Sequence, residues 1–526
     1  MPQSSASGKA YIADLIKRIN PQRVFDVGAG AGHYGQYKQA GQHWTAIEIW
    51  QPNIAQFALE QKYDAVVCAD ARAFAFKRCD LIIFGDVLEH MPAADAQNLL
   101  ATARALSKYV IVSIPIGHYP QGPYNGNPSE EHITDNWSVE GFVETFGAPW
   151  QQHLENEIGV FVYRRLKIAV YAISKNEAKF VRRFAQSAED ADLVLIADTG
   201  STDDTVDLAR QCSVDVAEIS VQPWRFDMAR DTAMCLLPAD VDVCISLDLD
   251  EVLEEGWRAE IERVWQPETT RLEYFFDWGC GIKFRYQKIH RRHGYRWHHP
   301  VHEYPKPDGR IAEVYARTEK LLVSHHPDSA KSRGQYLPLL RMAVKEDPQC
   351  PRNAFYFARE LTFYNLHDEA IVALKKYLDM PNADWDTERC YAMRLLGKTY
   401  DALGNGYEAL KWHRRATAEA PGTREPWVDL AQSCYLKAMW PEVLFAARAA
   451  LDIPDKTLVY TCDPECWGWK PYDLAALGAH NTGDHAAALE YGELALAHAV
   501  PEQRARLEAN VRWYERALQP ILQEAA

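Results

Sequence analysis

The stretch that most constrains this chain is Val241-Asp242-Val243-Cys244-Ile245-Ser246-Leu247, an apolar run that reads as a buried strand and delivers Asp248-Leu249-Asp250-Glu251 at its end. Residues two apart on an extended chain point the same way, so Asp248 and Asp250 share one face. Hard carboxylate oxygens at a strand end suit Mg2+ or Mn2+, which bridge the two phosphates of a nucleotide-sugar. A solvated acidic turn is the competing reading of the same residues.

The pattern of strand followed by polar loop recurs upstream. Lys167 to Ile173 is a strand followed by Lys175-Asn176-Glu177. Asp192 to Ala197 is a second, ending in Asp198-Thr199-Gly200-Ser201-Thr202-Asp203-Asp204-Thr205, a loop with a carboxylate for a nucleobase or ribose and a glycine turn that admits a ligand. Nearer the start, Arg23 to Val27 passes into Gly28-Ala29-Gly30-Ala31-Gly32, with His33 where a dinucleotide fingerprint has its third glycine, which disfavours NAD. Trp44-Thr45-Ala46-Ile47-Glu48 ends in a carboxylate placed as a ribose acceptor would be. Strands at Ala65 to Ala69, Leu81 to Phe84 and Tyr109 to Ile114 alternate with helical stretches such as Ala94 to Leu106, the pattern of a parallel doubly wound sheet.

Asp26-Val27-Gly28-Ala29-Gly30-Ala31-Gly32, Glu48, Asp70-Ala71 and Phe84-Gly85-Asp86-Val87-Leu88-Glu89-His90 together resemble class I S-adenosylmethionine-dependent methyltransferases, over nearly all of residues 1–166. The resemblance implies cofactor contacts from Asp26, Gly28, Gly30, Gly32, Glu48, Asp70, Ala71 and Asp86. The segment Tyr124-Asn125-Gly126-Asn127-Pro128-Ser129-Glu130-Glu131-His132 supplies Glu131 or His132 as a base for methyl transfer. A Rossmann-like domain that keeps its glycine loop for folding alone is the alternative.

Within residues 167–330, Ile173-Ser174-Lys175-Asn176-Glu177, Asp198 to Thr205, Phe226-Asp227-Met228-Ala229-Arg230-Asp231 and Leu247 to Glu251 resemble, in order, the motifs of glycosyltransferase family 2 with the GT-A fold. This implies donor contacts from Ser174, Asn176, Glu177, Asp198, Gly200, Ser201, Asp204, Arg230 and Asp248. Asp231 departs from the pattern, since relatives usually carry Asn after the Arg. Trp297-His298-His299-Pro300-Val301-His302-Glu303 resembles a segment of members with helical-repeat tails, and His325-His326 falls where they place another histidine. The resemblance implies a Mn2+ or Mg2+ shell from Asp248, Asp250, His325 and His326. It also implies Glu303 as support or general base, with Asp277 as the competing base, and inversion by direct displacement of a nucleoside diphosphate by an acceptor hydroxyl.

Over residues 331–526 amphipathic helices recur in pairs. Asp368-Glu369-Ala370, Tyr407-Glu408-Ala409, Pro441-Glu442-Val443 and His485-Ala486-Ala487 each open the second helix of a pair, at intervals near the tetratricopeptide period of about 34 residues. Small residues such as Ala358, Ala370, Ala409 and Ala431 allow close helix packing, while Trp412 and Trp440 read as interhelix core. The tail resembles the tetratricopeptide tails of family 2 glycosyltransferases. It serves either as a concave surface for an acceptor or protein partner, or as a buttress for the transferase.

The 526 residues exceed what one core supports, and 47% hydrophobic with 25% charged residues is globular composition, so the expected fold class is multidomain. Its parts are an α/β Rossmann-like domain, an α/β GT-A domain and all-α repeats. No apolar stretch is long enough for a membrane span or signal peptide, and eleven scattered cysteines, Cys462 and Cys466 included, fit reduced thiols, so the expected compartment is cytoplasmic. A net charge of −16 opposes a nucleic-acid partner and lowers the reading of an enzyme that glycosylates a hydroxylated base. The expectation is a glycosyltransferase that moves a sugar to a hydroxyl-bearing glycan or protein, joined to a methyltransferase. A scaffold with inactive nucleotide folds is the reading from a different class.

Overall fold

In the computed structural model, which describes residues 5–124, 126–279, 281–328 and 333–524, the apolar runs that end in glycine or aspartate are strands. Asn125 of the candidate base loop and the expected boundary at residues 330 and 331 lie outside the described residues. The chain divides into two compact units, one of residues 1–167 with 261–268, the other of residues 168–260 with 269–526.

The first unit holds a seven-stranded sheet. Its members are β1 (Arg23–Val27), β2 (His43–Glu48), β3 (Ala65–Cys68), β4 (Cys79–Gly85) and β5 (Ser107–Pro115), then, past a small pair β6 (Gly117–His118) and β7 (Asn136–Trp137), β8 (Gln151–Glu155) and β9 (Ile158–Arg164). The order is β3-β2-β1-β4-β5-β9-β8. The first five strands run parallel, whereas β9 and β8 complete the sheet antiparallel. Only Asn156 and Glu157 separate β8 from β9, and so short a connection joins antiparallel neighbours. Helices α1 (Lys9–Ile19), α2 (Gln51–Gln56), α3 (Ala93–Leu106) and α4 (Val139–Phe146) cover it. The chain leaves β1 toward β2 on one side and takes up β4 on the other, so a crevice opens where the order reverses, at the carboxyl ends of β1 and β4.

The second unit is built on an eight-stranded mixed sheet of order β12-β11-β10-β13-β16-β15-β19-β14. Its strands are β10 (Ile168–Ser174), β11 (Leu193–Asp198), β12 (Asp215–Glu218), β13 (Val243–Ser246), β14 (Glu251–Leu253), β15 (Arg271–Gly279), β16 (Ile282–Arg291) and β19 (Tyr315–His325), with β17 (Tyr295–His298) and β18 (Tyr304–Pro307) as a separate hairpin. Strands β10 to β13 are parallel and carry the polar loops at their carboxyl ends. Helices α5 (Ala178–Ser187), α6 (Thr205–Gln211) and α7 (Phe226–Leu236) intervene, and α8 (Trp257–Val264) begins here and ends among the residues assigned to the first unit.

The rest of this unit is helical: α9 (Tyr336–Glu346), α10 (Pro351–Phe363), α11 (His367–Leu378), α12 (Asp386–Ala402), α13 (Gly406–Glu419), α14 (Arg424–Tyr435), α15 (Trp440–Leu451), α16 (Trp469–Asn481), α17 (His485–Ala497) and α18 (Pro501–Glu524). Successive helices pack side by side along the tail. At Gly397 a Cβ would stand 2.5 Å from the His413 ring, so α12 and α13 approach where one lacks a side chain. Trp412 is buried among Phe355, Tyr377 and Leu396, and Trp440 packs on the core of α14 and α15. The same apolar cluster takes in Val301, with Trp224 and Phe226 against it, so sheet and helices share a core. Among the described residues no helix is long and apolar enough to cross a membrane.

Candidate functional site

A cleft of about 2020 Å3 lies within the second unit, between the carboxyl edge of the parallel strands and the first helices of the tail. Ser174, Asn176, Glu177, Arg230, Asp248, Asp250, Glu303 and His325 all line it. Sequence spacing put Asp248 and Asp250 on one face of a strand. The strand stops at Ser246, and the following turn gives the two carboxylates different surroundings.

Asp248 faces cations. Nη2 of Arg230 donates to its Oδ1 at 2.5 Å, and Nζ of Lys288 lies 3.4 Å from Oδ2. Arg230 is itself buried and donates from Nε to Oε1 of Glu303 at 2.5 Å and from Nη1 to Oγ of Ser246 at 3.0 Å. One guanidinium thus fixes the end of β13, the first acid and the loop before β18. Burial works against the Arg230 charge, but the carboxylates of Asp248 and Glu303 outweigh it and hold its pKa above the ordinary value.

Asp250 faces histidine. Pairing of β14 with β19 sets Glu251 opposite His325, which brings Nε2 of His325 to 3.6 Å from Oδ2 of Asp250. The ring packs against Trp278 at 4.4 Å between centroids, and its buried Nδ1 has no hydrogen-bond partner. One carboxylate and one imidazole meeting at a cleft wall fit the donor set of Mn2+. His326 contributes through its backbone, donating its amide to the Asp250 carbonyl at 2.8 Å, and is not part of the cleft lining.

Several sequence candidates are occupied within their own loops. Asp198 accepts from Oγ of Ser174, both amides of Gly200 and Ser201, and Oγ of Ser201, at 2.5 to 2.9 Å. Burial raises its pKa, but these bonds prevail and hold it below the usual carboxylate value. Oδ1 of Asn176 accepts the Thr202 amide at 2.7 Å, tying the two loops together. Asp204 is exposed at the start of α6. Asp277 accepts the Gly279 amide at 2.8 Å and does not line the cleft. Asp231 accepts the Trp297 amide at 2.9 Å, a bond an Asn oxygen would make equally well.

Two contributions escaped the sequence reading. Lys288, buried in β16, lies 3.3 Å from Oε1 of Glu251 as well as near Asp248. Its strand also carries Lys283, Arg285, Gln287, His290 and Arg291, so nothing in the local sequence singles it out. The second is α10, where Arg352, Tyr356 and Arg359 recur at helical spacing and line the cleft opposite the acids. The His302 ring stacks on Tyr356 at 4.0 Å, although His299 and His302 both hold left-handed backbone angles, φ 81° and 52°.

In the first unit, the crevice at β1 and β4 gathers the other set. Gly28 has φ 67°, and a Cβ there would stand 2.5 Å from Val87, so backbone alone fits. Glu48 is buried, accepting the Gly30 amide at 2.8 Å and the Trp50 amide at 2.8 Å. Asp26 is buried beneath the loop and accepts from the Tyr63 hydroxyl; burial, with only that hydrogen bond in opposition, pushes its pKa up to about 7. Asp86, at φ 56°, accepts from Oγ of Ser113 at 2.9 Å. Asp70 is engaged by Arg72 through a forked pair of bonds, beside the half-buried Ala71. A glycine cradle with a buried acid at the end of β2 fits a nucleoside. His132 lies beside Glu89 and His90.

The chain is 24% identical over 224 residues to the SPbeta prophage-derived glycosyltransferase SunS of Bacillus subtilis (strain 168), a match covering 39% of this chain and 51% of that protein. It is 33% identical over 99 residues to an uncharacterized glycosyltransferase of Rickettsia felis, covering 19% of this chain and 34% of that one. The chain spans about half or less of the length of these curated relatives. Among solved structures, the N-terminal domain of EvdMO1 with SAH bound is 15% identical and covers 30% of this chain and 82% of its own, at a TM-score of 0.25, too slight a likeness to bear on this chain. No family model matches.

Proposed function

We propose that this chain is a metal-dependent glycosyltransferase that moves a sugar from a nucleoside-diphosphate donor to a hydroxyl acceptor, with inversion. The observation that carries this reading is the bridge from Asp248 through Arg230 to Glu303, beside the facing pair Asp250 and His325, in one cleft. Residues 167–330 form the catalytic part in this reading, and 331–526 a tetratricopeptide-like tail that supplies the opposite wall.

Asp250 and His325 hold the divalent cation, which when bound supplies positive charge against the departing diphosphate. Arg230 adds a fixed guanidinium on the same side, already oriented by two carboxylates, so little reorganisation is needed as charge develops. Ser174, Asn176 and Glu177 line the donor end of the cleft. Asp198, Gly200 and Ser201 keep that loop in shape, and Lys288 balances Asp248 and Glu251. Glu303 is the general base of choice over Asp277. It lines the cleft, and Arg230 engages its Oε1, leaving Oε2 to take the acceptor proton.

The first unit, in the same proposal, binds S-adenosylmethionine through the Gly28, Gly30 and Gly32 loop, with Glu48 toward the ribose and Asp26, Asp70, Ala71 and Asp86 around it. That cofactor, when bound, supplies an electrophilic methyl group. The buried Glu48 beneath the loop supports the reading. The two activities act on one glycan or protein product.

The decisive experiment is hydrolysis and thermal shift with UDP-, GDP-, CMP- and dTDP-sugars, with and without Mn2+, and S-adenosylmethionine as a separate arm. A metal-dependent response to one donor supports the transferase, and a shift with S-adenosylmethionine supports the second site. Silence in both arms favours a scaffold.

A further inference from the structure

We infer that the first unit carries a second divalent-metal site, built by Glu89, His90 and His132, for a cation that takes imidazole nitrogen, such as Zn2+ or Co2+. Among the described residues these three form the cluster whose potential ligand atoms, one oxygen and two ring nitrogens, lie within 4.8 Å of one another.

The chemistry of each member points the same way. Glu89 is 1% exposed, yet neither of its carboxylate oxygens has a hydrogen-bond partner. A carboxylate buried without partners is expensive unless it coordinates an ion or is paired. The histidines are prepared as ligands. Nδ1 of His90 lies 3.0 Å from the Glu131 carbonyl oxygen, and Nδ1 of His132 lies 2.6 Å from that of Tyr119. A carbonyl oxygen only accepts, so both Nδ1 atoms carry the proton and both Nε2 atoms keep a lone pair. Fixing the tautomer by a backbone carbonyl on the far nitrogen is how metal-bound imidazoles are commonly oriented.

The backbone holds the set together. The amides of Ile133 and Thr134 donate to the carbonyl oxygen of Glu89, at 2.8 and 3.0 Å, pinning the His132 loop to the turn that bears Glu89 and His90. The rings of His90 and His132 are 4.9 Å apart between centroids. Ligands around such a cation stand roughly 3 Å apart, given bonds of about 2.1 Å, so small side-chain rotations close the site. Two imidazoles and one carboxylate leave coordination positions for water or a hydroxyl oxygen, which the cation would acidify. The His132 lone pair then goes to the metal rather than to a proton, so His132 is a ligand and not the base of a methyl transfer. Cation binding does not depend on the methyltransferase reading; only the use of an acidified hydroxyl does.

The test is titration of the full chain with Co2+, followed by visible absorption and displaced by Zn2+, in the Asp250→Asn/His325→Ala background that silences the cleft site. One equivalent of Co2+ with nitrogen-ligand bands is expected. Glu89→Gln, nearly isosteric, and His132→Asn, which keeps a donor for Tyr119, are each expected to weaken binding at least tenfold while the thermal melt stays within a few degrees. No stoichiometric Co2+ in the background protein overturns the site, as does unchanged affinity in both variants. A parallel S-adenosylmethionine titration keeps the two proposals apart, since its failure with Co2+ binding intact removes the methyltransferase reading and leaves the metal site standing.

Discussion

Arg352 donates from Nε and Nη2 to the carbonyl oxygen of His302, at 3.3 and 3.2 Å, so a helix of the tail grips the residue before the candidate base. The loop it grips runs through two left-handed histidines, a conformation costing on the order of 1–3 kcal/mol per residue that survives only when neighbours impose it. Arg352→Gln is therefore expected to release the loop and lower kcat by roughly ten- to a hundredfold, with donor KM nearly unchanged. Steady-state kinetics with the nucleotide-sugar that the donor screen identifies reads this directly, and a wild-type kcat would show that the grip is only structural.

Arg230 bridges groups that a lysine cannot span. Arg230→Lys keeps the charge yet loses the fork to Asp248 and Glu303, and is expected to bind nucleotide at least tenfold more weakly. Arg230→Met strands the Glu303 carboxylate and leaves Asp248 to Lys288 alone, costing about 3–5 kcal/mol in chemical denaturation of the second unit. Equal stability of the two variants would contradict the bridge.

Removing either ligand of the cleft cation should act on metal before nucleotide. Asp250→Asn and His325→Ala are each expected to weaken Mn2+ binding in the presence of nucleoside diphosphate by at least tenfold. Calorimetry measures it. His326→Ala, which alters only a side chain outside the cleft lining, is expected to leave the affinity as it is.

Asp26 gives the first unit a pH dependence opposite to that of most carboxylates. Its folded pKa, raised to about 7, lies above the unfolded value of about 3.9, so between those limits the native state holds a proton the unfolded chain does not. Its contribution is fully present below about pH 4 and fades as pH rises through 7, by at most on the order of 4 kcal/mol. The protection of the β1 amides, taken relative to their intrinsic exchange rate at each pH, should fall across that window, and Asp26→Asn should flatten the response. Protection that stays constant with pH in the parent protein would refute the assignment.

Much of the architecture is visible in local sequence because it rests on local physics. Apolar runs such as Leu193–Asp198 and Val243–Ser246 are short, bounded by polar loops and too β-branched to mistake, and the alanine-rich helical pairs carry their spacing on their face. Glu48 follows the glycine loop within 20 residues, so both come from one strand-to-strand step. What spacing conceals is contact across distance. Lys288 meets Asp248 only because β16 lies beside β13, and Arg352 reaches His302 only because α10 packs over the cleft. Asp248 and Asp250 do line one cleft, but strand alternation does not govern them, because the strand ends at Ser246.

The cleft wall formed by Arg352, Tyr356, Trp385 and Tyr460 belongs to the helical tail, whereas the acids it confronts lie on the turns and loops of the sheet. Val301, Trp224 and Phe226 join the apolar cluster of those helices, so the two sides of the cleft are not separable parts: cutting the chain before α9 would bare that cluster and unseat the loop that carries Glu303.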